Sequence, residues 1–282
     1  MAQSIPTLTG YARTYANVGK TKNFGYDLTF NFVPVRTKDF EWNIGVNAAY
    51  SRNEIVSLAN GKEDDPANGW FIGESTNSIY TYESAGLWKE EDRADMEKFN
   101  ANGHDFQIGM ARPVDQNGDY KIDANNDRTI VGHYDPRWTL GLNTNFTYKG
   151  WDLGIQLYGR MGFKYYDSSV WVGGRYNVRD YDYYNENNKN AAHPKPIYDE
   201  GGKDAYYNET YLKNGSYLKI RNISLGYTFP NRLLTHTGLS ALRMYAQIKN
   251  PGYIFSGCKT LDLDTYSNTY NSGFTFGLNL SF

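Results

Sequence analysis

The chain has 282 residues, enough for one or two domains, and 29 Lys and Arg nearly balance 31 Asp and Glu, for a net charge of −2. This balance provides no strongly basic surface, so we expect no nucleic-acid partner. The mean hydropathy of −0.68, without a long apolar run, excludes a transmembrane helix but not a membrane β-barrel, in which only every second residue needs to be apolar. The high content of aromatic residues (26 Tyr, 14 Phe and 6 Trp) and of Gly (28) favours many strands and turns.

Strict alternation of apolar and small polar residues predicts seven strands. Their ranges are 24–35, 40–52, 138–148, 151–160, 217–229, 241–249 and 271–282. Residues 78–88 and 104–114 are two further candidate strands, separated by a short charged helix near 90–99. The range 217–229 changes parity after Ile220, which predicts a β-bulge near Arg221 and Asn222.

The connections between these strands are unequal in length. Short connections at 36–39, 149–150 and 230–240 fall at one end of an up-and-down sheet. Long segments at 53–137, 161–216 and 249–271 fall at the other end. This asymmetry favours an antiparallel transmembrane β-barrel, with short periplasmic turns and long extracellular loops, over a soluble β-sandwich.

The two faces and the two ends of the predicted strands also differ. Aromatic residues collect near the short-turn end, as in an interfacial girdle: Trp42, Tyr148, Trp151, Phe229 and Phe282. The opposite strand face carries polar side chains that suit a wet interior: Asp152, Gln156, Arg160, Arg243 and Gln247. Because a closed barrel of this class has an even number of strands, the odd count predicts a piece of a longer barrel.

An acidic loop follows the second candidate strand. It offers oxygen ligands at the spacing of a calcium loop, with a backbone carbonyl from Lys121: Asp115, Asn117, Asp119, Asp123 and the late-placed Asp127. Tyr120 replaces the glycine that such a loop requires, and Asn126 stands where its last carboxylate belongs. Two hypotheses stay open, a bound Ca²⁺ ion or an acidic turn held by side-chain hydrogen bonds to the backbone.

The long segment before the strand at 217–229 is rich in aromatic residues. Five of them are candidates for stacking on a sugar or contacting a protein partner: Trp171, Tyr176, Tyr181, Tyr183 and Tyr184. Packing of one loop on another is the alternative. No Ser/His/Asp set or carboxylate pair is spaced for catalysis, so we expect no enzyme.

Several stretches resemble the C-terminal part of the SusC/RagA family of TonB-dependent outer-membrane transporters of Bacteroidota. They are YANVGK at 15–20, NFGYDL at 23–28, the segment 80–88 ending in AGLW, the segment 115–132 ending in DRTIVG, and YLKIRNISLGYTFP at 217–230. The terminal Phe282 looks like the signal read by the barrel-assembly machinery. Residues 250–255 depart from the family pattern.

The resemblance implies that residues 1–282 are the C-terminal part of one 22-stranded barrel domain, whose plug and earlier strands are absent here. It implies a multi-pass protein of the bacterial outer membrane, in contact with its lipid. It further implies uptake of oligosaccharides or peptides with a SusD-like surface lipoprotein and the TonB complex. The alternative from another class is a soluble or surface-attached β-sandwich that binds carbohydrate.

Overall fold

The computed structural model describes residues 2–4, 13–15, 19–59, 61–167, 182–196, 204–258, 262–265 and 271–282. The chain divides into two compact units. The sheet unit comprises Phe24–Ser51, Pro136–Phe163 and Asn214–Phe282. The loop unit comprises Met1–Asn23, Arg52–Asp135 and Lys164–Lys213.

Fifteen strands and one α-helix are present among the described residues. The strands are β1 (Ala2–Ser4), β2 (Arg13–Tyr15), β3 (Lys20–Arg36), β4 (Phe40–Ser57), β5 (Ser78–Tyr82), β6 (Ser84–Leu87), β7 (Ala111–Pro113), β8 (Arg128–His133), β9 (Trp138–Tyr148), β10 (Trp151–Met161), β11 (Lys164–Tyr166), β12 (Leu212–Asn214), β13 (Tyr217–Thr228), β14 (Ala241–Ser256) and β15 (Gly273–Ser281). The helix is α1 (Arg93–Ala101). No described helix has the length and apolar character needed to cross a membrane.

One seven-stranded sheet organises the sheet unit, in the order β15-β14-β13-β10-β9-β4-β3. The described registers, from β4 to β15, are all antiparallel. The sheet is built from the seven ranges in which the sequence alternates regularly. The β9–β10 hairpin closes through Lys149 and Gly150, whose φ angles of 46° and 89° match a type I′ turn, the two-residue turn that fits the twist of paired strands.

The predicted bulge in β13 is confirmed. Ile220 pairs with Leu157 and Asn222 with Gln156, so Arg221 is the extra residue that restores the apolar side chains to one face. β14 also runs beyond its predicted end. Asn250, with φ of 49°, lies in a second irregularity opposite Arg221, and the strand then continues to Ser256.

The loop unit contains the helix, whose position agrees with the prediction for 90–99. Its apolar core is Trp88, Met96, Phe99, Phe106, Met110 and Ile122. Two small antiparallel sheets accompany it, β5 with β8 and β6 with β7.

The two candidate strands at 78–88 and 104–114 form no part of the seven-stranded sheet. The first is divided into β5 and β6, and in the second only β7 is a strand, so the prediction for residues 104–110 is wrong. The side chain of Asn100 accepts a hydrogen bond from Phe106 N (2.7 Å) and donates one to Phe106 O (2.9 Å). These two hydrogen bonds close a turn after α1. The turn directs Phe106 into the core, so this stretch does not continue as a strand.

Candidate functional site

The seven-stranded sheet has one face of exposed apolar side chains. Phe276 is 81% and Phe282 90% exposed, values that are unusual for aromatic residues in water. Other members of this apolar face are Phe24, Tyr26, Leu28, Phe30, Phe32, Tyr148, Trp151, Leu225, Met244, Phe274, Leu278 and Leu280. An unbroken surface of this kind requires an apolar environment or a partner.

Aromatic pairs mark both ends of the apolar face. At the short-turn end, Trp42 stacks on Phe146 with ring centroids 5.5 Å apart, and Trp151 lies 4.8 Å from Tyr227. This agrees with the predicted girdle.

A second aromatic group, which the alternation pattern alone does not reveal, lies at the long-loop end. The ring centroid of Tyr50 is 5.3 Å from that of Tyr26 and 5.0 Å from that of Trp138. Trp138 and Tyr148 begin and end β9. Its ten residue steps correspond to about 33 Å along a strand, or about 25 Å across a bilayer at the usual barrel tilt.

One polar residue on the apolar face has a clear partner. Thr144 on β9 is the diagonal neighbour of Trp42 on β4, and its hydroxyl accepts a hydrogen bond from the indole N–H at 2.8 Å. A buried indole N–H left without an acceptor is costly in an apolar medium, so Thr144 allows Trp42 to face that medium.

The opposite, polar face carries cross-strand ion pairs and hydrogen bonds. The guanidinium of Arg243 on β14 reaches Asp152 on β10 over the intervening β13, with Nε 2.9 Å from Oδ1. Gly226 permits this crossing, because a Cβ there would lie 2.4 Å from Arg243 Nη2. Gln247 donates to Asn222 nearby at 2.6 Å.

In the acidic loop, the carboxylates accept hydrogen bonds from the backbone. Asp115 accepts from Gly118 N (2.7 Å) and Tyr120 N (2.8 Å), and Asp123 accepts from Asn125 N (2.8 Å). The bond from Asn125 N, followed by those from the side chain and backbone of Asn126, lowers the pKa of Asp123. Tyr120 adopts φ of 59°, so the chain makes the sharp turn there without glycine.

Asp127 closes this loop. The residue is fully buried, and its two carboxylate oxygens accept hydrogen bonds from Gln116 N (2.9 Å) and Asp123 N (2.7 Å). It therefore joins the beginning of the loop to its end.

The remaining proposed ligands lie at the exposed tip. Asn117 donates its side-chain amide to Asp119 at 3.0 Å, and Asp119 also accepts a hydrogen bond from Lys121 N at 2.8 Å. Within the described part of the chain, no group of three or more His, Cys, Asp or Glu side chains is placed to hold a metal ion. Calcium binding at this loop stays a prediction.

His104 links the acidic loop to the apolar core. Its Nε2 accepts a hydrogen bond from Ile122 N at 3.0 Å, and its ring stacks on Phe106 with centroids 5.0 Å apart. Burial lowers the pKa of His104, although the charge of Asp127 opposes this shift.

We expect the hydrogen bond to Ile122 to weaken under acid conditions. The folded protein favours the neutral form of His104. The stability contributed by this imidazole is therefore complete above the pKa of about 6.5 in the unfolded chain, and it is lost as the pH falls through the lower pKa of the folded protein. Hydrogen exchange at the Ile122 amide, corrected for the intrinsic pH dependence, should accelerate below about pH 6.5. In a His104→Gln variant this additional acceleration should disappear; its persistence would contradict the assignment.

Of the five aromatic candidates, Trp171, Tyr176 and Tyr181 lie outside the described residues. Tyr183 is 38% exposed. Tyr184 packs its ring on the backbone of Gly109, where an added Cβ would be 2.3 Å from Tyr184 Cδ1. Tyr184 N also donates to His193 O at 3.0 Å. Tyr184 therefore packs against a neighbouring loop, whereas a ligand contact by Tyr183 stays a prediction.

The same architecture occurs in a solved transporter. The chain superposes on the structure of the RagAB peptide transporter with a TM-score of 0.70 and 24% identity, covering 99% of this chain and 31% of that one. This likeness shows the fold, an antiparallel segment of a TonB-dependent barrel. No protein-family model matches the chain.

Curated relatives match over almost the whole sequence. TonB-dependent receptor SusC of Bacteroides thetaiotaomicron is 27% identical over 301 residues, which cover 98% of this chain. Over almost its whole length the chain is similar to TonB-dependent receptors of the SusC/RagA type. TonB-dependent receptor P3 of Formosa agariphila is 26% identical over 310 residues and 99% of the chain. The chain spans 28% of the length of the SusC protein and 30% of the length of P3.

Proposed function

We propose that this segment forms part of the wall of an outer-membrane importer. The observation that carries the proposal is the two-sided sheet, with large apolar side chains exposed on one face and ion pairs on the other. The apolar face contacts lipid, and the aromatic groups at its two ends lie at the two membrane interfaces. The names of its relatives, TonB-dependent receptors, support the same assignment.

The proposed substrates are oligosaccharides or peptides, and the proposed role is passage without chemical change. SusC and the RagAB peptide transporter are the similar proteins that suggest these classes. The proposed partners are a SusD-like surface lipoprotein, the TonB complex as energy source, and the barrel-assembly machinery acting on Phe282. The competing hypothesis of a carbohydrate-binding β-sandwich is disfavoured by the barrel fold.

Adjacent residues of β15 provide a matched test of the lipid-facing assignment. Phe276 points to the apolar face, whereas Thr275 points to the polar face. In the full-length receptor, Phe276→Lys should reduce the assembled protein in outer membranes about tenfold or more, because a lysine facing the bilayer centre costs about 2–4 kcal/mol. Thr275→Lys should change it less than about twofold.

The measurement is the heat-modifiable band of folded barrel in isolated outer membranes. Equal effects of the two substitutions, or recovery of the receptor in the soluble fraction without detergent, would reject the membrane wall. Import is tested separately, by growth of a receptor-deletion strain and its complemented form on oligosaccharides or peptides as sole nutrient. If the deletion strain grows as well as the complemented strain on both oligosaccharides and peptides, uptake of both classes is rejected.

A further inference from the structure

A buried lysine lies at the long-loop end of the sheet. The side chain of Lys219 on β13 is only 2% exposed, and its ammonium nitrogen lies 2.8 Å from Asp264 Oδ2 and 3.3 Å from Asp262 Oδ1. Lys219 pairs with Tyr158 on β10, and Tyr158 lies on the polar face of the sheet. Both carboxylates come from the long connection between β14 and β15, 43 residues or more along the chain.

Further groups hold the two carboxylates. Tyr253 donates its hydroxyl to Asp262 Oδ1 at 2.7 Å, and Arg221 donates to Asp264 Oδ2 at 2.9 Å. Asp264 N also donates to Asp262 Oδ1 at 3.0 Å, which fixes the turn that presents both side chains to Lys219. The connection is thus attached to the sheet through a charged cluster in which Lys219 and Asp262 are closed to water, whereas Arg221 lies at its exposed edge.

The same connection is held where it leaves β14. Gly257 N donates to Ser216 O at 3.0 Å, and Cys258, which follows, is 2% exposed. Leu263, between the two aspartates, is 1% exposed. We call Gly257, Cys258 and Asp262–Thr265 the strap; Cys258, Asp262 and Leu263 are its buried members.

We propose that this strap is a charge-held closure over the polar face of β13, and that it opens as a unit when the Lys219 cluster breaks. Apolar packing would hold a permanent closure at least as firmly, since replacing a buried ion cluster by apolar residues is often neutral or stabilising. Loss of one partner, in contrast, leaves an uncompensated buried charge and favours opening. Opening exposes the buried Lys219 ammonium to water, and it does not depend on which substrate the receptor imports.

Two chemical probes report the state of the strap in the assembled full-length receptor. Cys258 is modified by a maleimide and the Lys219 amine by an acetylating ester, each quantified by peptide mass spectrometry. In the unaltered receptor both reactions should be slow. The loop-side variant Asp262→Asn/Asp264→Asn should accelerate both about a hundredfold or more, because labelling follows the population of the open state.

Lys219→Met provides the strand-side counterpart and should accelerate Cys258 labelling by a similar factor. Lys249→Met is the matched control, because it removes an exposed lysine from the neighbouring strand β14 and should leave both rates unchanged. Wild-type rates in the loop-side variant would overturn the proposal. So would fast Cys258 labelling with Lys219 still protected, or a failure of the loop-side variant to assemble, since a strap is not part of the barrel framework.

Discussion

Gly257→Ala should detach the turn that follows β14 while leaving the sheet assembled. A Cβ at this position would lie 1.8 Å from Asn214 O and 2.9 Å from Asn214 C. Both are backbone atoms, so no change of rotamer relieves the clash and the chain itself must move. We expect a local destabilisation of about 1–3 kcal/mol, the usual cost of forcing extra atoms against a close-packed backbone. Hydrogen exchange at the amides of residues 256–258 in the full-length receptor measures this loss.

Gly252→Ala is the matched control for this substitution. Gly252 lies in β14, five residues earlier, and a Cβ there would meet nothing within 4 Å. Both substitutions reduce the flexibility of the unfolded chain in the same way, so their difference isolates the clash. Similar exchange rates in the two variants would show that the turn accommodates a side chain and that the close approach to Asn214 is unimportant.

Asp127→Ala should open the acidic loop. Its carboxylate is the acceptor for two backbone N–H groups, from Gln116 and Asp123. The residue is fully buried, so water does not readily replace it. Each buried donor left unsatisfied costs about 1–3 kcal/mol, and we expect faster hydrogen exchange at both amides. Asp119→Ala at the exposed tip should have a much smaller effect on these two amides.

Repeating this measurement with calcium and with a chelator separates the two roles considered for Asp127. If Asp127 acts as a backbone cap, the loss caused by Asp127→Ala is the same in both solutions. A loss that occurs only with calcium would contradict capping and identify Asp127 as a metal ligand. Stabilisation of the unaltered loop by calcium would independently support the predicted cation site.

Local periodicity explains why so much of the sheet could be predicted. The two faces of each strand meet different environments, so apolar and polar side chains alternate along its sequence. A change in this alternation around Arg221 indicates the bulge directly. The predicted end of β14 at residue 249 is too early, and the strand in fact includes Pro251, a residue that usually interrupts strands. Here the irregularity at Asn250 lets the strand continue past the proline, which lacks an N–H to donate.

The parts that were not predictable depend on contacts between distant residues. The Lys219 cluster joins a strand to a loop 43 residues later, and no local pattern links the two. The second aromatic group at Tyr50 and Trp138 becomes apparent only when the strand register is known. For the acidic loop, residue spacing leaves a cation site and an acidic turn open, because the use of the carboxylates as backbone acceptors depends on the conformation at Tyr120.

The order of strands in the sheet has a consequence for how such walls diversify. β4 pairs with β9 and β10 with β13, although long stretches of chain separate the members of each pair. The entropy lost in closing a flexible loop grows only with the logarithm of its length, by about 0.6 kcal/mol for each doubling. Insertions between these strands can therefore grow, shrink or be exchanged at little thermodynamic cost to the wall. Selection can thus change the long connections without redesigning the seven-stranded sheet.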